Sequence, residues 1–396
     1  MTQLITHVSY PQKISSPRLV ELDWLRVLVF GLLILYHVGM LYAENWGWHY
    51  KSSYSSKFLT NIMLWSNQWR MSLLFLISGA AVSYMLANES PWRFMAKRIL
   101  VLALPLVFGM LVVVVPQVYV EVNSKGFIDC PNYWHFWYAY LDQSSTEFAN
   151  NKTMGSIQLT WNHLWFLPYL LAYSLVVGLF YPMLTARSLM PFWQAVEKNI
   201  GILAVVVVPI AISYFLGAWL DEKNPVTLNF VHDWFNHARS LLVFLIGFAL
   251  VRMPSLWRSF VHLRWQFLVI AICTFSYILF SFNGGTLGDG PVAKIIKRLF
   301  WTANGWFWIL ALIAWAQYWF RESNPSLRYL NRGVYCFYIV HQTLIISVAY
   351  FLVPKKLGAT LEPLLIILVV AIGCILLFEI IRRLPVLPIF FGIQKR

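Results

Sequence analysis

Apolar runs of about 20 residues recur along the whole sequence, parted by short polar stretches that hold most of its charge. Each run is long enough to cross the roughly 30 Å hydrocarbon layer of a bilayer as a helix. The pattern predicts ten spans, near 22–43, 68–87, 98–119, 161–183, 200–220, 238–253, 264–283, 295–320, 332–353 and 361–381. There are no heptads, short-period repeats or Pro/Ser-rich linkers. The expectation is therefore an all-α polytopic membrane protein, a single domain over residues 1–396. A polar tail over 1–21 precedes the first span, and the longest connection, 120–160, is rich in polar and aromatic residues. A loop of that length is more often functional or disordered than a plain connector.

Composition agrees with the pattern: 59% of residues are hydrophobic, 17% aromatic and 12% charged, whereas soluble domains hold about 25% charged residues. The net charge of +14 does not indicate nucleic acid, because its distribution is that of a membrane protein. Arg93, Lys97 and Arg98, then Arg187 and Lys198, then Arg252, Arg258 and Arg264 fall in alternate loops, with Arg321, Arg328, Arg332 and the C-terminal tail. Most acids, among them Glu44, Glu121, Asp142 and Asp233, fall in the others. The positive-inside rule then puts both termini in the cytoplasm, as an even span count requires. The first 18 residues are polar, with no apolar region followed by a cleavage site, so the first span is expected to act as an uncleaved anchor. Of the four cysteines only Cys130 sits in a polar loop, which argues against a disulfide framework.

The first span, "RVLVFGLLILYH" over 26–37, carries two ionisable groups. At 100° per residue the eleven steps from Arg26 to His37 come within about 20° of three turns, so both share one face, roughly 16 Å apart along the axis. Glu44, seven residues further, returns to the same face close to the outer surface. A charge inside a membrane is costly and normally faces the protein interior or a water-filled cavity. Two structural readings stand beside the functional one: Arg26 paired with Asp23 and snorkelling to the interface, and His37 as a helix-packing hydrogen bond.

The stretch "RLVELDWLRVLVFGLLILYHVGM" resembles the opening of the acyltransferase-3 family, integral membrane acyltransferases marked by an arginine, ten residues and a histidine. "WRMSLLFLISGAAVSYML", "NHLWFLPYLL" and "YIVHQTLII" are similar to later segments of that family, so the resemblance covers essentially the whole chain. Its nearest branch succinylates osmoregulated periplasmic glucans. The resemblance implies acyl-CoA, with succinyl favoured over acetyl, as a cytoplasmic donor substrate, an extracytoplasmic glucan or other carbohydrate as acceptor, and a bacterial inner-membrane location. Partners are then acyl-CoA, the acceptor and the lipid bilayer, with a homo-oligomer as a further option and no nucleic acid. Arg26, Lys97 and Arg98 would hold the CoA phosphates. His37 would act as general base, a role suited to an imidazole whose unperturbed pKa is near 6.5, and Glu44 or Asp23 would tune it. One departure stands out: the family often has two arginines three apart before the proline of the third span, and here Arg98 is followed by Val101.

His341 is a second polar group for the same cavity, stabilising an oxyanion, relaying the acyl group or merely packing. Arg70 would complement a carboxylate on the acyl group or an anionic glucan, or else snorkel. Trp46 and Trp48, like His163 and Trp165, would contact the acceptor or mark the outer interface, where aromatic residues gather regardless of function. Ser78 beside Gly79 fits close helix packing. No spacing suits a metal: His232 and His237 are five apart without a thiolate or carboxylate cluster. A transporter or flippase, with Arg26, His37 and Glu44 lining a route, is the rival reading, although transporters commonly show internal repeats.

Overall fold

A computed structural model describes residues 19–393 apart from 128–129, 131, 143–158, 187–188, 190, 192–194, 196–197, 200, 222–223, 286–287 and 289. Arg187 and much of the 120–160 loop therefore lie outside the described residues. The described chain is helical, and a single isolated bridge, Ala43 with Ser56, stands in place of any strand. The helices are α1 (Val20–Met40), α2 (Lys57–Asn67), α3 (Arg70–Asn88), α4 (Pro91–Phe108), α5 (Val115–Ser124), α6 (Tyr133–Leu141), α7 (Phe166–Leu184), α8 (Ile202–Leu216) and α9 (Trp234–Leu250). There follow α10 (Pro254–Ser259), α11 (Arg264–Phe282), α12 (Pro291–Trp319), α13 (Pro325–Leu352), α14 (Leu361–Ile381) and α15 (Leu387–Phe390).

Among the described residues nine helical stretches are long and apolar enough to span a membrane. The sixth expected span is α9, which has only 17 residues, about 25 Å of rise. Several spans start earlier than hydropathy alone indicates. Lys57–Asn88, for instance, begins eleven residues before the expected 68, because α2 is helical yet only partly apolar. Side-chain caps and prolines set these starts. Ser56, Ser90 and Asn324 accept from Leu59, Arg93 and Leu327 backbone N–H groups, and Pro91, Pro254, Pro291 and Pro325 sit in first turns, where a missing N–H costs nothing. Within the third span the helix widens into a π turn over Gly109–Val113 just before Pro116, whose ring cannot follow an undistorted α-turn.

Helix α1 stops at Met40, where Lys51 Nζ donates to the carbonyls of Met40 (2.9 Å) and Ala43 (2.5 Å). A cation on the last carbonyls closes the helix and turns the chain back. Helices α1, α3 and α13 form the centre, with α1 against α13 and α3 against α9. The α3–α9 crossing is glycine-made: a Cβ on Gly79 would stand 1.9 Å from the Phe244 carbonyl oxygen, and one on Gly247 2.0 Å from that of Leu76. Backbones this close are a membrane packing solution that only glycine permits. Helix α8 instead turns apolar side chains outward, with Leu203 72% and Phe215 67% exposed, as a lipid-facing helix does. Leu19 and Gly392 line one common cavity, so both ends of the described chain meet at the same end of the bundle, here called proximal. The opposite end is distal.

Candidate active site

In the distal half, α1 supplies His37 and α13 supplies His341, and their rings meet edge to edge, tilted by 23° with centroids 5.0 Å apart. His37 Nδ1 lies 2.8 Å from His341 Nε2, and His341 Nδ1 lies 2.6 Å from the carbonyl oxygen of Tyr338. A carbonyl only accepts, so His341 Nδ1 carries the proton and its Nε2 is the acceptor. His37 Nδ1 must then donate, leaving His37 Nε2 unprotonated and not engaged within the pair. Burial fixes this chain: His341 is 0% exposed, and the Trp48 ring lies nearly parallel to that of His37, centroids 5.3 Å apart.

His37 lines a cavity of about 750 Å³ together with Trp48, Arg70, His163 and Trp165. Arg70 is 5% exposed, its guanidinium lies 3.6 Å over the Tyr36 ring, and its Nε has no hydrogen-bond partner among the described residues. His163 has both nitrogens engaged, Nε2 donating to Ile339 O (3.0 Å) and Nδ1 accepting from Gln117 (3.3 Å), so it shapes the wall rather than offering a free bond. Gln117 also meets Gln342 (3.1 Å), whose amide reaches His49 Nε2 (3.1 Å), and His49 Nδ1 pairs with Glu121. Of this polar network, which the sequence analysis does not single out, His49 and Gln342 line the cavity while Gln117 and Glu121 hydrogen-bond to them. The sequence carries a signal for it: Gln117 and Glu121 are four apart, on one face of an apolar run.

Three expected site residues stand elsewhere. Glu44 follows the end of α1, so helical periodicity does not carry it back to the face of His37; its N–H donates to Thr60 Oγ1 (2.8 Å), and it lies outside the lining of the cavity. Trp46 packs near Tyr36 and the Met40–Met63 cluster instead of lining the cavity. Lys97 is exposed and paired with Glu89, away from the proximal cavity.

That proximal cavity, about 650 Å³, is lined by Arg26, Arg98, Asp23, Asn331 and Tyr335. Arg26 Nη1 stands 3.8 Å from Asp23 Oδ1, so the expected ion pair forms, on the cavity wall. Arg98 Nε and both amide atoms of Asn331 are buried with no partner among the described residues. Val101, where the family often has a second arginine, also lines this cavity, and its carbonyl accepts from Tyr335 at 3.2 Å. Arg26 and His37 thus face two hollows, not the single one their shared helix face predicts. Tyr338 lines both hollows and divides them, wedged edge-on to Phe30 at 5.5 Å with its hydroxyl on the His163 carbonyl at 2.7 Å.

Together these features define a multi-pass membrane protein with a buried imidazole pair at one cavity and a pair of arginines at another. Residues 19–380 match the acyltransferase-3 family, described as an acyltransferase domain. The chain belongs to that family and is a membrane acyltransferase. No curated protein and no solved structure matched the chain.

Proposed function

We propose that the protein transfers an acyl group, succinyl above acetyl, from cytoplasmic acyl-CoA to a hydroxyl of an extracytoplasmic glucan or related carbohydrate. The observation that carries this reading is the 2.8 Å contact between His37 and His341, which leaves His37 Nε2 as a base on a cavity wall. In this reading the proximal end faces the cytoplasm, the only compartment that supplies acyl-CoA, and the membrane is the bacterial inner membrane. Arg26 and Arg98 take the CoA phosphates, for which guanidinium groups are suited, and Asn331 supplies unused amide bonds. The pantetheine arm runs past Tyr338, which turns aside, and sets the thioester beside His37.

The acceptor hydroxyl oxygen attacks the thioester carbonyl carbon while His37 Nε2 takes its proton. The tetrahedral adduct collapses with cleavage of the C–S bond, and His37 Nε2 returns the proton to the departing sulfur, giving an ester and free CoA. His341 holds the required tautomer and accepts the Nδ1–H bond throughout. Arg70, buried without a free-standing carboxylate beside its Nε, suits the terminal carboxylate of a succinyl group. The faces of Trp48 and Trp165 suit the C–H surface of a sugar ring. Thioester cleavage by purified protein, with a glucan acceptor, tests the reading. His37→Ala is expected to lower turnover by about 10² to 10⁴, the usual worth of general acid–base catalysis, with folding intact; unchanged turnover contradicts it.

A further inference from the structure

The start of α9 forgoes a bond that its sequence offers. Asp233 stands just before the first turn, where an aspartate normally accepts from the N–H groups of that turn. Its side chain makes no such cap. The carboxylate, 0% exposed, is turned instead onto the preceding loop. Oδ1 accepts from the Thr227 N–H (2.9 Å), and Oδ2 from the Leu228 N–H (3.2 Å), the Tyr169 hydroxyl (2.5 Å) and the Asn236 amide (2.8 Å). All four partners are donors, so the position calls for an acceptor at both oxygens.

Further bonds lock the same loop. The Tyr169 hydroxyl accepts from the Phe230 N–H (2.9 Å), His237 Nε2 donates to the Phe230 carbonyl (2.7 Å), and Trp161 Nε1 donates to the Leu228 carbonyl (2.9 Å). They hold Leu228 at φ 59° and Phe230 at φ 70°, left-handed conformations that residues with a Cβ rarely adopt. Such strain persists only where the surroundings over-determine it, and it gathers at active sites and ligand clamps. What the strained loop secures is position: Val226, Thr227, Leu228 and Asn229 all line the cavity that holds His37. Thr227 and Asn229 are exposed there, whereas Asp233 and Tyr169, which anchor the loop, are buried and stand outside the lining.

We propose that this loop is the acceptor-recognition wall of the His37 cavity, that Thr227 and Asn229 take the hydroxyl groups of a sugar ring, and that Asp233 is the residue that positions them. From Val226 to Phe230 the loop holds no ionisable side chain, so an anionic group finds no cation on this segment. A hydroxyl and a primary amide together offer donors and acceptors, which matches the mixed donor and acceptor character of sugar hydroxyls. Asp233 acts through the loop and touches no substrate. The assignment to the acceptor rests on the acyltransferase reading; the anchoring of the loop does not.

The test uses the full-length protein in nanodiscs of phosphatidylcholine with no acyl donor present, titrated with an uncharged gluco-oligosaccharide and followed by calorimetry. Succinyl-CoA binding is measured separately on the same samples. Wild-type protein should bind the oligosaccharide, and Thr227→Ala/Asn229→Ala should bind it about tenfold more weakly, the worth of roughly two neutral hydrogen bonds. Asp233→Ala should lose as much, and Asp233→Asn, which keeps one acceptor oxygen, should recover part of the loss. Succinyl-CoA affinity should stay within about threefold of wild type in each variant, as for changes at separate sites. Lys355→Gln, an exposed change at the same end of the bundle, should match wild type. If Asp233→Ala fails to fold, the Thr227→Ala/Asn229→Ala variant, altered only at exposed residues, carries the comparison. Absence of oligosaccharide binding by wild type, unchanged binding by the loop variant, or a matched loss of succinyl-CoA binding overturns the proposal. Since no turnover is read, failure of the acyl-transfer reading shows separately, as loop-dependent oligosaccharide binding without thioester cleavage when both substrates are supplied.

Discussion

His37 keeps one nitrogen available because His341 occupies the other, and His341 is itself held by a backbone carbonyl. A base oriented this way should lose rate, not substrate affinity, when its partner is removed. His341→Ala is accordingly expected to lower kcat by about 10²-fold or more, while KM for either substrate moves less than about threefold. A matched rise in both KM values would instead assign His341 to packing. Arg70 makes a sharper claim about the acyl group. A charge-assisted hydrogen bond is worth about 1.5–3 kcal/mol, so Arg70→Gln should cost roughly 10- to 150-fold in kcat/KM with succinyl-CoA and little with acetyl-CoA. Equal losses with both donors would remove Arg70 from carboxylate recognition. The spacing of Arg26 and His37 was legible because each ionisable group interrupts an apolar run. The bond to His341 was not, because it joins residues 304 apart, and no local periodicity encodes which helices touch.

Helix α1 ends at Met40 on a Lys51 clasp, and that tertiary contact is why Glu44 falls off the expected face. Hydropathy located the spans well, since each run must satisfy its own backbone in lipid. It placed their starts less well, since caps such as Ser56 and Asn324 act outside the apolar stretch. The Ser78–Gly79 pair signalled close packing, and the α3–α9 crossing realises it at Gly79. A Cβ there meets a backbone oxygen, which cannot swing aside. Gly79→Ala should therefore destabilise the protein by about 2–4 kcal/mol, near the upper range for single substitutions, and lower its unfolding midpoint in detergent. Gly31→Ala, where nothing lies within 4 Å of the added carbon, should leave the midpoint near wild type. Equal midpoints for the two would mean that the crossing is not the tight contact described.

Across the whole molecule, two cavities open toward opposite ends of the bundle and meet at one aromatic ring, Tyr338. In the reading proposed above, this division keeps the arginines that take the CoA phosphates away from the His37 base and gives donor and acceptor separate approaches. Sequence alone implied one continuous hollow, because a helix face says which residues align but not what fills the space between them. The most direct test of the account uses sealed proteoliposomes in which the protein has a single known orientation. Acyl-CoA is confined to the compartment facing Arg26, and the glucan acceptor to the compartment facing His37. Acylated glucan should form with the two substrates separated in this way, and should not form with their positions exchanged or with the His37→Ala protein. Product formed from the exchanged arrangement, or formed only when both substrates share one compartment, would contradict transfer across the membrane between the two cavities.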